Sequence, residues 1–271
     1  EGRYLFVCDN RCELEVTAID PKTIRFRCAP MGEFSDEFSY AIKEDLDQSG
    51  MKLEVNEGEK EFVLKTESLM IFIGKMGLLI RVEDHDGFVL SQDEKGFHWY
   101  DNEDFGGENV ILSRNIQARE RFYGLGDVPG HKDLRGQRRM LWGSDVYGYD
   151  ASTDPLYKNI PFFIGLHHDR AYGIFFDNSF RSSFDFGEER SSVASFWAQG
   201  GEMNYYFVYG PEMNDVVANY TDLTGKPHQM PALWTLGYHQ CKWSYYPESK
   251  VTAVAAKFRE LQIPCDAIYL D

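Results

Sequence analysis

The segment LWTLGYHQCKWSYYPESKVTAVAAKFRELQIPCDAIYLD, residues 233–271, carries the pattern that decides the fold. Residues 233–239 are apolar enough for a strand, Pro247 stands at a first-turn position of a helix, and that helix ends before Pro264. Residues 265–270 form a second apolar run. The predicted helix has one apolar face, which consists of Val251, Val254, Ala255, Phe258 and Leu261. The segment therefore predicts a strand, a helix and a strand in succession.

A β-α-β unit of this kind implies two parallel strands joined by a right-handed crossover. In α/β barrels the chemistry lies at the carboxyl ends of the strands. Trp243 and Asp271 follow the two predicted strands and are candidate site residues. Because the chain stops inside an apolar run, we expect only the beginning of a barrel. Its unpaired edges should leave residues 234–271 poorly ordered or prone to aggregate when isolated.

Upstream of this segment, short apolar or alternating runs broken by Gly, Asn and Asp are typical of a β-sandwich or barrel. We predict strands at 52–55, 61–65, 69–73, 77–82, 87–90, 162–166, 171–176 and 204–209. An amphipathic helix is predicted at about 211–224, and residues 226–231 have the composition of a linker. The predicted domains are therefore 1–230 and 231–271.

The composition argues against several classes of partner. The chain has 44 acidic and 28 basic residues, and a net charge of -16 disfavours nucleic acid and anionic membrane surfaces. No run approaches the ~20 apolar residues of a membrane span, and no signal peptide is recognisable. These features predict a cytoplasmic protein, and the oligomeric state stays open.

The five cysteines are odd in number and scattered: Cys8, Cys12, Cys28, Cys241 and Cys265. They show no metal-binding spacing, so the sequence predicts neither a metal site nor a disulfide framework. All five are expected to be buried structural thiols of a reducing compartment. A single pair between Cys8 and Cys28 is the alternative.

Several runs resemble glycoside hydrolase family 31. The most specific is Leu236-Gly-Tyr-His-Gln-Cys-Lys-Trp-Ser-Tyr-Tyr246, followed after the helix by Ile263-Pro-Cys-Asp-Ala-Ile-Tyr-Leu-Asp271. Four upstream runs resemble the N-terminal domain of the same family: Phe122-Tyr-Gly-Leu-Gly-Asp127, Trp142-Gly-Ser-Asp-Val-Tyr-Gly-Tyr149, Pro155-Leu-Tyr-Lys-Asn-Ile-Pro-Phe-Phe163 and Phe175-Phe-Asp-Asn-Ser-Phe180. The resemblance implies a mostly β fold, with an N-terminal galactose-mutarotase-like β-sandwich followed by the first β-α-β of a truncated (β/α)8 barrel.

The resemblance also implies four substrate-binding residues. Asp145 matches an acid on a sandwich loop that enters the sugar site and accepts hydrogen bonds from hydroxyls, although an Asp in this context also forms turns. Tyr147 is expected to line the same loop. Trp243 matches a ring that walls the first subsite, with core packing as the alternative. Asp271 matches the first acid of a Leu-Asp-Ile-Asp-like motif that holds hydroxyls at the non-reducing end.

No catalytic residue is matched. Members of the family are retaining glycosidases, and retention needs two carboxyl groups about 5 to 5.5 Å apart. Both come from later barrel strands, and no run here resembles the Trp-x-Asp-Met-Asn-Glu-like nucleophile motif. The resemblance thus implies the N-terminal part of an exo-acting α-glycosidase that uses no cofactor and acts on α-glucoside oligosaccharides, with α-glucosidase as the leading activity.

Other functions remain open. The chain alone is predicted to be inactive. The α-xylosidase, sulfoquinovosidase and α-glucan lyase activities of the wider family depend partly on residues downstream. A stand-alone carbohydrate-binding or degenerate non-catalytic module is the alternative from another class, and a barrel of another α-glycosidase family behind a similar sandwich is a third.

Overall fold

A computed structural model describes residues 2–8, 12–32, 34–104 and 106–271. The Cα packing divides the chain into two compact units, Glu1–Gly225 and Lys226–Asp271. The division lies in the stretch that the sequence marks as a linker. The domain limits of 1–230 and 231–271 stay a prediction, five residues further along the chain than this division.

The first unit is built mainly from strands. In the part of the chain that the structure describes they are β1 (Arg3–Val7), β2 (Glu13–Asp20), β3 (Thr23–Ala29), β4 (Glu54–Glu57), β5 (Glu61–Lys65), β6 (Leu69–Gly74), β7 (Ile80–Asp84), β8 (Val89–Asp101), β9 (Glu108–Asn115), β10 (Arg121–Gly126), β11 (Arg138–Leu141), β12 (Asn159–His167), β13 (Arg170–Phe176), β14 (Ser182–Phe186), β15 (Val193–Ala198) and β16 (Met203–Tyr209). A short 3-10 helix spans Pro30–Gly32. The strands form two sheets, ordered β1-β2-β3-β16-β13-β12-β10 and β11-β14-β15-β9-β8-β7-β6-β5-β4. The predicted mostly β fold is confirmed.

Three predicted strands begin too early. The sequence placed them at 52–55, 77–82 and 87–90, whereas β4 begins at Glu54, β7 at Ile80 and β8 at Val89. Gly77 and Gly87 have φ angles of 73° and 79°, a left-handed conformation that suits a turn rather than a strand. The two glycines lie in the turns that precede β7 and β8, and the strands start where the turns end.

An aromatic core lies between the two sheets. Phe163 on β12 contacts three rings of the nine-stranded sheet, at centroid distances of 6.0 Å to Phe184, 5.0 Å to Phe186 and 6.5 Å to Phe196. All four side chains are at most 2% exposed. Edge-to-face pairs add about 0.5–1.5 kcal/mol each beyond the area that they bury. Phe163 therefore joins the two sheets.

A group of charged and polar side chains is also buried in the sandwich. The Tyr172 hydroxyl donates to Glu120 Oε1 at 2.5 Å, and the Arg114 guanidinium lies 5.3 Å from the centre of the Tyr172 ring. Asp93 Oδ2 accepts the backbone N–H of Ile80 at 2.9 Å. Burial raises the pKa of Asp93 to about 7, although the Ile80 N–H and the Arg114 charge act in the other direction.

Helix α1 (Met213–Thr224) covers the outer face of the seven-stranded sheet. Val216 and Leu223 are buried, and the Tyr220 ring stacks on Phe162 at 3.9 Å. The predicted helix at about 211–224 is confirmed, and it begins two residues later because Glu212, in extended conformation, is its N-cap. Gly225, with φ of 99°, ends it.

The second unit contains the predicted β-α-β order. Strand β17 (His239–Gln240) pairs in parallel with β18 (Ala267–Ile268), and helix α2 (Glu248–Glu260) connects them. The strand predicted at 233–239 is wrong for its first part, where Leu233–Leu236 forms a 3-10 helix. Hydrogen bonds from Thr235 N to Ala232 O at 3.0 Å and from Gly237 N to Trp234 O at 3.1 Å close these turns.

The apolar face of α2 is only partly covered. Val251, Val254 and Phe258 are half-buried, whereas Ala255 and Leu261 of the predicted face are exposed. None of residues 226–271, all of which the structure describes, is buried. The unit therefore has the predicted order of elements but no buried core of its own.

The cysteine expectations are borne out in part. Cys12 and Cys28 are buried, and burial raises the pKa of the Cys12 thiol to about 11 and that of Cys28 well above its ordinary value. Cys8 and Cys265 are half-buried, and Cys241 is exposed, so the expectation of burial is wrong for Cys241. No disulfide joins Cys8 to Cys28, both of which the structure describes.

Across the described ranges, no helix is both long enough and apolar enough to cross a membrane.

Candidate functional site

The loop between β11 and β12 carries two of the four predicted site residues, Asp145 and Tyr147. A backbone bond from Ser144 N to Leu156 O at 3.1 Å joins its two arms, and one from Asp127 N to Lys158 O at 2.9 Å ties its second end to the residue that follows β10. The loop is therefore anchored at both ends.

The tip of this loop is a turn organised by Asp150. Its Oδ1 accepts from Ser152 N at 2.8 Å, Ser152 Oγ at 2.7 Å and Thr153 Oγ1 at 3.2 Å. These bonds, those of Ser152 first, lower the pKa of Asp150. Closer to the sandwich, Asp154 Oδ2 accepts the Met140 N–H at 2.8 Å. Asp150 and Asp154 thus shape the loop, and neither was singled out from the sequence.

The loop can run beside β10 because of two glycines in the Gly-Leu-Gly-Asp run. Gly124 has φ of 133°, and a Cβ atom there would lie 2.5 Å from the Phe162 carbonyl oxygen. At Gly126, with φ of 89°, a Cβ would lie 2.4 Å from the Lys158 carbonyl oxygen. Positions 124 and 126 therefore hold glycine because β10 passes very close to β12 and to the end of the loop.

Asp145 is exposed, and its carboxylate lies near the Tyr157 hydroxyl. Loss of hydration, followed by the nearby Asp145 carboxylate, raises the pKa of Tyr157. Tyr147 is 99% exposed. Tyr157 lies in one of the runs that carry the resemblance, but it was not predicted as a site residue.

A cavity of about 690 Å³ opens at the start of the same loop. Trp142 and Phe180 line it with side chains that are 52% and 53% exposed, together with Arg181, Gln199 and Glu108. Both rings belong to runs that carry the resemblance, but neither was predicted to contact a ligand. Exposed aromatic rings can pack against the apolar C–H face of a sugar ring, and neighbouring polar groups can bind its hydroxyls.

The second unit holds the other two predicted residues. Trp243 follows β17 and is 83% exposed. Asp271 follows β18, and its Oδ2 lies 3.8 Å from the Cys241 Sγ atom. Because β17 and β18 are parallel, both residues follow the carboxyl end of a strand, as the sequence predicts.

A polar network runs along the two short strands. His239 Nδ1 lies 3.0 Å from the Tyr269 hydroxyl, and Gln240 Nε2 donates to the Tyr245 hydroxyl at 2.8 Å. The Tyr238 hydroxyl donates to Gln240 Oε1 at 2.6 Å. His239, Gln240 and Tyr245 lie in the run that carries the resemblance, and the contact between His239 and Tyr269 joins the two paired strands.

The structure therefore brings Asp145 and Tyr147 together on one loop, and places Trp243 and Asp271 after two paired strands. No set of three or more metal-ligating side chains meets within the described residues. The arrangement supplies carboxylate acceptors and aromatic faces, which are the groups that bind neutral hydroxylated molecules.

Two family models match the chain. Residues 13–185 match the glycosyl hydrolase 31 N-terminal galactose mutarotase-like domain, and residues 228–271 match the glycosyl hydrolases family 31 TIM-barrel domain. The first match alone covers more than half of the chain. The chain belongs to glycoside hydrolase family 31.

Individual relatives agree with this membership. Alpha-glucosidase 2 of Bacillus thermoamyloliquefaciens is 35% identical, over 100% of this chain and 33% of the relative. An alpha-xylosidase of Saccharolobus solfataricus is 30% identical, over 86% of this chain and 31% of the relative. A family 31 dextranase of Flavobacterium johnsoniae, solved with isomaltotriose, has a TM-score of 0.88 and 33% identity, over 100% of this chain and 32% of that chain. The chain spans about a third of the length of these relatives.

Proposed function

We propose that this chain is the N-terminal part of a retaining, exo-acting α-glycosidase that removes terminal α-linked glucose from oligosaccharides. The observation that carries the proposal is the Asp145 carboxylate, which is exposed on an anchored loop. Asp150, not Asp145, makes the turn of that loop. This separates Asp145 from the turn-forming role that an Asp in a Gly-Ser-Asp segment would otherwise have.

The remaining proposed roles follow from the same chemistry. Asp145 and Asp271 accept hydrogen bonds from sugar hydroxyls, because ionised carboxylates are strong acceptors. The Trp243 ring lies against the C–H face of the pyranose, which its exposure permits. Tyr157 donates to Asp145 and orients it, and Tyr147 lines the loop.

We also propose that these residues bind substrate without catalysing its hydrolysis. A retaining mechanism needs a nucleophile and an acid/base about 5 to 5.5 Å apart. Asp145 and Asp271, as acceptors for hydroxyls, would not flank the scissile bond. The nucleophile and the acid/base would come from barrel strands that follow residue 271 in a longer reading frame.

The test is to express the whole reading frame that contains these residues and to measure hydrolysis of nitrophenyl α-glucoside, nitrophenyl α-xyloside and isomaltotriose. We expect α-glucoside turnover, with kcat/KM reduced about 100-fold or more in D145N and W243A, on the order of 3 kcal/mol of transition-state stabilisation. D45N, which removes an exposed carboxylate of the same unit, is the matched control. Absence of α-glycoside turnover, or full activity in D145N, would overturn the proposal. Saccharide binding without turnover would instead favour a binding module.

A further inference from the structure

A second groove crosses the outer face of the nine-stranded sheet, away from the loop that carries Asp145. Its floor contains two small residues on adjacent strands, Ser113 on β9 and Ser195 on β15, which pair directly. Residues that pair directly across antiparallel strands point to the same face of the sheet. Together with the lining residues of β8 they form a depression that crosses three strands, roughly 10 Å at about 4.8 Å per strand.

Larger side chains form one wall of this groove. The next row on the same face contains His98, Ile111 and Trp197, which pair in that order across β8, β9 and β15. All three are half-buried, and the exposed ring of Tyr100 extends the wall. The wall thus offers two aromatic surfaces beside one imidazole.

The opposite wall is charged but internally paired. Arg190 donates to both Glu94 carboxylate oxygens, at 3.1 Å and 2.8 Å, and the Ser113 hydroxyl lies 3.3 Å from Glu94 Oε2. Asp185 and Glu189 also line the groove, and each pairs with Arg138 at 3.0 Å. Because three carboxylates (Glu94, Asp185 and Glu189) line the groove and only two cations do (Arg190 and Lys95), the site favours a neutral ligand over an anion.

His98 presents a hydrogen-bond acceptor to the groove. Its Nδ1 lies 3.1 Å from the Gly96 carbonyl oxygen, which can only accept, so Nδ1 carries the proton and Nε2 has the lone pair. Burial lowers the pKa of His98 and keeps the ring neutral. No other described residue makes a hydrogen bond to Nε2. The atom is available to accept a hydroxyl group.

We propose that this groove, about 470 Å³ in volume, is a second saccharide site that holds one or two neutral pyranose units. The volume lies within the range of about 300–1,000 Å³ that is usual for small-ligand sites. Trp197 and Tyr100 supply ring faces, while the Glu94–Arg190 pair and His98 supply fixed acceptors and donors for neighbouring hydroxyls. The choice of an α-glucan as the ligand rests on the proposed function. The existence of a saccharide site in this groove does not rest on it.

The test uses the whole 271-residue chain with ¹³C-labelled isoleucine methyl groups, because Ile111 lies in the wall of the groove. The background is the D145N/W243A double variant, so that binding at the proposed substrate site is removed. Isomaltotriose is titrated, and glucose 6-phosphate serves as the anionic comparison. We expect a saturable shift of the Ile111 methyl signal with isomaltotriose and about tenfold weaker binding of the phosphate ester.

Two surface variants test the walls and the floor separately. R190A removes an exposed partner of Glu94, and S195L fills the floor without removing a charge. Each should weaken binding about tenfold or more, whereas Y40A, which removes a 96% exposed ring elsewhere, should leave it unchanged. An unmoved Ile111 signal overturns the inference, and so does a shift that is lost in the D145N/W243A background. Binding in R190A and S195L that is as tight as with the unchanged groove overturns it as well. None of these results depends on hydrolysis, so the proposed function can fail or hold independently.

Discussion

Replacing Asp93 by asparagine should change how the stability of the sandwich depends on pH. Asp93 is 6% exposed, and burial raises the pKa of its carboxyl group from 3.8 to about 7. A carboxyl group whose folded-state pKa is raised binds its proton more tightly in the folded state. Its contribution to stability is fully present below the unfolded pKa of 3.8 and is lost as the pH rises through about 7.

The size of this effect follows from the shift. About three pKa units at ~1.4 kcal/mol each give a loss of about 4 kcal/mol between pH 4 and pH 8. The amide side chain introduced by D93N keeps an oxygen that can accept the Ile80 N–H, as Asp93 Oδ2 does at 2.9 Å. The amide does not ionise, so the stability of the variant relative to the parent should rise with pH.

Urea unfolding followed by tryptophan fluorescence, at several pH values from 4.5 to 7.5, measures this difference. We expect D93N to gain about 3 kcal/mol or more on the parent across that interval. D45N, which changes an exposed carboxylate of the same unit, should keep a constant difference. A difference between D93N and the parent that does not vary with pH would refute the account of Asp93 as a buried, protonated acid.

Three further predictions concern the core and the site loop. F163A should lower the free energy of unfolding by about 3–5 kcal/mol in urea, because it removes a ring that touches both sheets, whereas F38A, at a 70% exposed side chain, should have little effect. G124A should destabilise by about 3 kcal/mol or more, since its Cβ would meet the Phe162 carbonyl oxygen at 2.5 Å, whereas G148A has no neighbour within 4 Å and should be neutral in the same assay. D145N should lower the pKa of Tyr157 in an NMR titration of ring-labelled tyrosine, because the carboxylate that raises it is gone, and an unchanged Tyr157 pKa would contradict the Asp145 contact.

Much of the fold could be predicted because it rests on local patterns. Strand β5 occupies Glu61–Lys65, as the alternating run there predicts, and α1 ends at the residue before Gly225. The 3-10 helix at Leu233–Leu236 was missed because a short apolar run has no distinguishing period, and hydrogen bonds three residues apart decided its form.

Only part of the candidate site could be predicted from such local patterns. The positions of Asp145, Trp243 and Asp271 followed from matched runs. The proximity of Tyr157 to Asp145 depends on how the loop folds back on itself, which no spacing in the sequence predicts. The groove floor could not be predicted either, because Ser113 and Ser195 become neighbours only through strand pairing.

The order of the seven-stranded sheet has a consequence for how the chain acquires its structure during synthesis. Strand β3 pairs with β16, so Cys28 lies beside Met203, and Arg27 forms an ion pair with Glu202 at 2.7 Å. By contrast, β4 to β8 are joined by short turns and pair in sequence order. Contacts between distant residues form slowly because a long loop must close first. The β4–β8 and β1–β3 strands can therefore pair on the ribosome, whereas the edge of β3 stays unpaired until β16 has been made.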